Sequence, residues 1–104
     1  MPEQARERDI TILVVEDNPT QSKQLERILE RNGYGVRVAR SGTEALDAMR
    51  EVPPSVVISD VLMPGMDGFQ FCHTVKSDAA LKRIPVMLLT VLSDPQDIIK
   101  GLEA

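Results

Sequence analysis

Short apolar runs alternate with amphipathic stretches four times along this chain, and the rhythm predicts its elements. Residues 10–15 are apolar apart from Thr11 and rich in β-branched side chains, the pattern of a strand buried on both faces. Glu16-Asp17-Asn18-Pro19 ends that run, with Asn18 placed to cap a helix and Pro19 at its first position. Leu25, Ile28 and Leu29 fall on one face of the helix, and Asn32-Gly33 stops it, with Gly33 suited to the left-handed turn that closes helices. Val36-Arg37-Val38-Ala39 alternates, which predicts a strand with one wet side and an edge position. Ser41-Gly42-Thr43-Glu44 has capping-box spacing, and Ala45, Leu46 and Met49 give the second helix its apolar face. After Pro53-Pro54, Val56-Val57-Ile58 is a third, fully apolar strand that ends in Ser59-Asp60. A loop over residues 61–68 leads into a helix carrying Phe69, Cys72 and Val75, and Asp67 is expected to cap that helix. Residues 86–89 form a fourth apolar strand ending at Thr90, and Asp94-Pro95 opens a last helix with Ile98, Ile99 and Leu102.

Strands that alternate with helices call for a parallel sheet with helices on both faces, an α/β fold. With 104 residues there is room for one domain, preceded by a polar leader over residues 1–9. A net charge of -4 disfavours direct nucleic-acid binding, which needs a basic face. The single cysteine, Cys72, excludes an internal disulfide, fits a reducing compartment and is expected to be a buried small hydrophobe. No apolar run is long enough to span a membrane, and the charged leader lacks the apolar region of a signal peptide. These features predict a cytoplasmic location.

Ligands of open α/β sheets bind beyond the carboxyl ends of the strands, where strand order reverses. The residues at those ends are Glu16 and Asp17 after the first strand, Asp60 after the third and Thr90 after the fourth. Three carboxylates in one crevice repel one another, and a hard divalent cation removes the conflict. Oxygen ligands with room for water suit Mg²⁺ best, and such an ion also accepts phosphoryl oxygens. An aspartate so placed can act as a nucleophile and form an aspartyl phosphate. Taken alone, the Glu16-Asp17 pair is better explained as anions favoured at a helix start, and Asp60 as an ordinary strand end.

Three blocks change that balance. Ile12-Leu13-Val14-Val15-Glu16-Asp17-Asn18, Asp60-Val61-Leu62-Met63-Pro64-Gly65-Met66-Asp67-Gly68 and Ile84-Pro85-Val86-Met87-Leu88-Leu89-Thr90 stand in this order and spacing. The chain from residue 10 to 104 therefore resembles the receiver domain of two-component response regulators and hybrid sensor kinases. The resemblance implies a flavodoxin-like doubly wound sheet in the order 2-1-3-4(-5). It implies a phosphoacceptor signalling module, not an enzyme, that takes its phosphoryl group from a histidine kinase or phosphotransfer protein and serves an output domain or effector. Asp60 would be the phosphoacceptor and Asp17 a direct Mg²⁺ ligand. Glu16 would act on the metal through water, the Leu62 carbonyl would be the third protein ligand, and Thr90 the switch hydroxyl.

The resemblance also exposes departures. The family's lysine after the fifth strand, and the switch residue within that strand, have no counterpart here, so the chain is expected to be a receiver cut short before its fifth βα unit. An uncovered outer edge on the fourth strand then predicts self-association. Val91 stands where the family has a small residue and narrows the donor's path. Leu62 and Leu92 lie two residues beyond Asp60 and Thr90, and bulky apolar groups there predict slow loss of the phosphoryl group. The competing reading is a pseudo-receiver, an interaction module without phosphorylation. A phosphohydrolase is disfavoured, because Leu62 occupies the position where such an enzyme needs its general acid. His73, alone on its helix, is expected to be neither ligand nor catalyst.

Overall fold

The structure is a computed structural model and describes residues 10–63 and 65–89. Its elements are β1 (Thr11–Val15), α1 (Pro19–Arg31), β2 (Gly35–Ala39), α2 (Gly42–Glu51), β3 (Val56–Asp60), α3 (Gly68–Ser77) and β4 (Val86–Leu89). All strand pairs are parallel, and the sheet order is β2-β1-β3-β4. The chain thus leaves β1 for one neighbour and returns to β3 on its other side. That reversal opens the crevice at the carboxyl ends of β1 and β3. Thr90, Val91, Leu92, the leader and the helix expected after Asp94 lie outside the described residues, as does Pro64.

The period-two alternation of the strands sends side chains to two separate cores. Leu13, Val15 and Val57 pack with Ala45, Leu46, Met49, Phe71 and Val75 on the face covered by α2 and α3. Ile12, Val14 and Ile58 pack with Leu29 on the face covered by α1. Beyond Thr11, β1 therefore has no polar face, as its apolar run required. β2 stands at the sheet's edge as its alternation predicts, with Val36 and Val38 against the α1 core. Arg37 of the same strand donates from Nη2 to the carbonyl of Val52, the residue that ends α2. β4 stands at the other edge of the described sheet, and all four of its residues are half-buried.

Each helix starts as its sequence dictates. The Asn18 side chain accepts from the amides of Thr20 (2.9 Å) and Gln21 (3.1 Å), with Pro19 at the first turn. Ser41 accepts from the Glu44 amide at 3.1 Å. Asp67 and Gln70 form a reciprocal box, with Gln70 N–H donating to Asp67 Oδ1 (2.8 Å) and Asp67 N–H to Gln70 Oε1 (3.0 Å). Gly33 closes α1 at φ 91°, a left-handed conformation that favours glycine.

Two expectations need correction. Of the apolar residues expected on α3, only Val75 is fully buried. Phe69 is 63% exposed, and Phe71 takes the core position instead. Cys72 is half-buried, because it lies beside the core face and not on it.

Candidate functional site

β1 and β3 run side by side with Val15 opposite Ser59, so their immediate successors, Glu16 and Asp60, meet at the mouth of the crevice. Asp17, one residue further, completes the group. Each of the three offers a carboxylate oxygen, and these oxygens lie within 4.8 Å of one another. Asp17 is exposed, while Glu16 and Asp60 are half-buried. Among the described residues this is the cluster able to hold a metal ion.

Hydrogen bonds hold the Glu16 and Asp60 segments in place. The Glu16 amide donates to the Ala39 carbonyl at 3.0 Å, tying the start of the acidic pair to the end of β2. The Glu16 carboxylate in turn accepts a long hydrogen bond (3.4 Å) from the Asn18 amide. At the end of β3 the buried Ser59 hydroxyl donates to the Asp60 carbonyl at 3.0 Å. Val61 N–H donates to the Leu89 carbonyl at 3.0 Å, which anchors the outgoing chain to β4. The Leu62 amide reaches the Asp60 carboxylate at 3.4 Å, and the Leu62 side chain is 68% exposed beside it.

The charge conflict expected from the sequence is present. Burial is the largest cause raising the Glu16 carboxyl, which is pushed from 4.5 up to about 7. The Asn18 amide opposes the rise, and the negative charges of Asp60 and Asp17 add to it. A cation between the three oxygens would reverse the sign of this local field. The donor set fits Mg²⁺, being all oxygen and anionic, with exposed Asp17 leaving access for water and a further ligand.

The structure therefore unites Glu16, Asp17 and Asp60, with Leu62 at their edge, while Thr90 lies outside the described residues. It adds Ser59 and Asn18, which the sequence marked only as a strand residue and a helix cap. A small hydroxyl amid an apolar strand, as in Ser59, was the available signal for the first.

Comparison with known proteins identifies the architecture. The family model of the response regulator receiver domain matches residues 12–104. The chain belongs to that family. It is 36% identical over 93 residues to the DNA-binding response regulator MtrA of Mycolicibacterium smegmatis, covering 89% of this chain and 40% of that protein. The chain thus spans less than half the length of that relative. Among solved structures it is similar to the signal receiver domain of a signal transduction histidine kinase from Syntrophus aciditrophicus. That match has a TM-score of 0.75 and 48% identity, covering 89% of this chain and 70% of the other. A chemotaxis protein of Vibrio cholerae gives a TM-score of 0.80 at 26% identity, covering 89% of this chain and 95% of that one. The receiver fold accounts for the β2-β1-β3-β4 order, and receiver domains are signalling modules of two-component systems. Among the described residues no helix is long and apolar enough to cross a membrane.

Proposed function

We propose that this receiver domain is a phosphoacceptor, and that Asp60 takes a phosphoryl group from the phosphohistidine of a partner histidine kinase or phosphotransfer protein. The convergence of Asp60 with Glu16 and Asp17 within 4.8 Å, at the sheet's reversal point, is the observation that carries the reading. An Asp60 carboxylate oxygen forms the new bond to phosphorus as the bond to the histidine nitrogen breaks, and the imidazole leaves. Asp17 and Asp60 would hold Mg²⁺ directly, with the Leu62 carbonyl as third protein ligand and Glu16 acting through water. Bound there, Mg²⁺ supplies charge neutralisation for the phosphoryl oxygens.

The chain's own residues do the rest. Ser59 and the Val61–Leu89 hydrogen bond hold the Asp60 backbone, so its carboxylate starts from a fixed base. The Leu62 amide, already aimed at the Asp60 carboxylate, is a donor at hand for an added oxygen. Thr90 is assigned as the hydroxyl that closes on the phosphoryl group and reports its presence to an output domain or effector.

Acetyl phosphate with Mg²⁺ tests the assignment. A protein carrying a fifth βα unit after these residues should gain one hydroxylamine-labile phosphoryl group, read by mass, its Asp60→Asn variant should gain none, and the 104-residue chain should label poorly. Undiminished labelling of Asp60→Asn, or no labelling of the protein that carries the fifth βα unit, overturns it.

A further inference from the structure

We infer that Met66, seated on Gly42, is a positioning residue for the carboxylate site, holding the end of β3 that carries Asp60. The inference rests on the phosphoacceptor reading for one of its two tests. Met66 lies between β3 and α3, half-buried against the core that α2 and α3 cover. A Cβ on Gly42, the first residue of α2, would stand 2.7 Å from Met66 Sδ, 3.2 Å from Cγ and 3.3 Å from Cβ. The methionine therefore lies along bare glycine backbone from its root to its sulfur. A methyl at 42 would meet the flexible sulfur end first, which can swing aside, and then the Cγ and Cβ, which would have to give by a few tenths of an ångström.

From Met66 the path to Asp60 is short. Asp67 is pinned by its two hydrogen bonds to Gln70. Gly68 donates its N–H to the Val61 carbonyl at 2.8 Å, and its α-carbon packs directly on the Asp60 carbonyl and the Val61 backbone. A displacement of the Met66 backbone toward α3 would be passed through these contacts to the backbone of Asp60. Close-packed contacts of this kind transmit strain. The start of α2 is in this way mechanically tied to the carboxylate that receives the phosphoryl group.

Gly42→Ala is the direct probe, because alanine favours a helix and the new methyl meets Met66 first. Titration calorimetry with MgCl₂ should show about tenfold weaker binding, the lower end of what loss of a supporting contact costs a metal site. Without metal, amide hydrogen exchange at Gly68 should quicken in the same variant. The pair should be non-additive, since Met66→Ala vacates the space the new methyl needs, and the double variant should do better than the two single effects combined. Unchanged exchange at Gly68 in Gly42→Ala, or strictly additive effects in the double variant, overturns the inference. A wild-type chain that binds no Mg²⁺ counts against the functional reading alone, and the exchange measurement still decides this one. Should Gly42→Ala fold poorly, Met66→Ala removes the same seat without a clash, and unaltered Gly68 exchange there overturns the inference as well.

Discussion

Gly68 rests its α-carbon on the backbone of Asp60 so closely that a methyl group there would run into the Asp60 carbonyl oxygen and lie 2.8 Å from the Val61 α-carbon. Both obstacles are backbone, and neither can rotate aside. Gly68→Ala should therefore destabilise the chain by about 2 kcal/mol, within the range for overpacking a tight site. Urea unfolding should show a lower midpoint at unchanged slope. A midpoint within error of wild type would mean that α3 can slide away from β3 freely.

Phe69 and Phe71 stand two residues apart on α3 and differ in almost everything that matters energetically. Phe71 is fully buried in the core that α2 and α3 cover, whereas Phe69 is 63% exposed. Phe71→Ala should cost about 3–5 kcal/mol, and Phe69→Ala about 0.5 kcal/mol or less. Equal losses in thermal unfolding would contradict this placement of the helix face.

That pair also shows where the sequence stops being readable. The strands were legible because β1 and β3 are apolar on both faces, which few other structures tolerate. The helix starts were legible because Asn18, Ser41 and Asp67 each satisfy amides that a helix leaves open. The rotation of α3 was not, since Phe69, Phe71, Cys72 and Val75 permit two apolar faces. Tertiary packing chose the one containing Gly68, whose bare backbone allows the approach to Asp60. The carboxylates of Glu16, Asp17 and Asp60 were legible because each follows or ends a strand. The seat of Met66 on Gly42 was not, because it joins residues 24 positions apart through shape alone.

Glu16 makes the stability of the chain depend on pH. Its carboxyl is raised from 4.5 to about 7, so between those values the folded chain keeps a proton that the unfolded chain releases. The Glu16 contribution to stability is thus most favourable below about pH 4.5, declines as pH rises through the window, and is flat above about 7. Glu16→Gln should lack this decline, so the difference in melting temperature between variant and wild type should widen from pH 4.5 to 7 in the variant's favour. Added Mg²⁺ should reduce that difference at pH 7 and above, because the ion favours the charged carboxylate that burial disfavours. Parallel pH profiles for the two proteins would rule out Glu16 as the titrating group.

Leu62 controls the lifetime of the phosphoryl group in this reading. Its amide lies 3.4 Å from the Asp60 carboxylate, and its side chain stands largely in solvent at the edge of the site. A branched apolar group there obstructs water approaching phosphorus and offers no atom to orient it. Leu62→Asn would open the approach and supply an amide that can hold the attacking water. Hydrolysis of the phosphorylated chain should accelerate about tenfold, short of the ~100-fold that a positioned proton acceptor supplies. The comparison with Leu62→Ala separates the two causes. If obstruction alone matters, alanine should accelerate hydrolysis as much as asparagine does. If orientation contributes, asparagine should be clearly faster. Loss of label followed over time in both variants decides between them, and rates equal to wild type in both would remove Leu62 from the account.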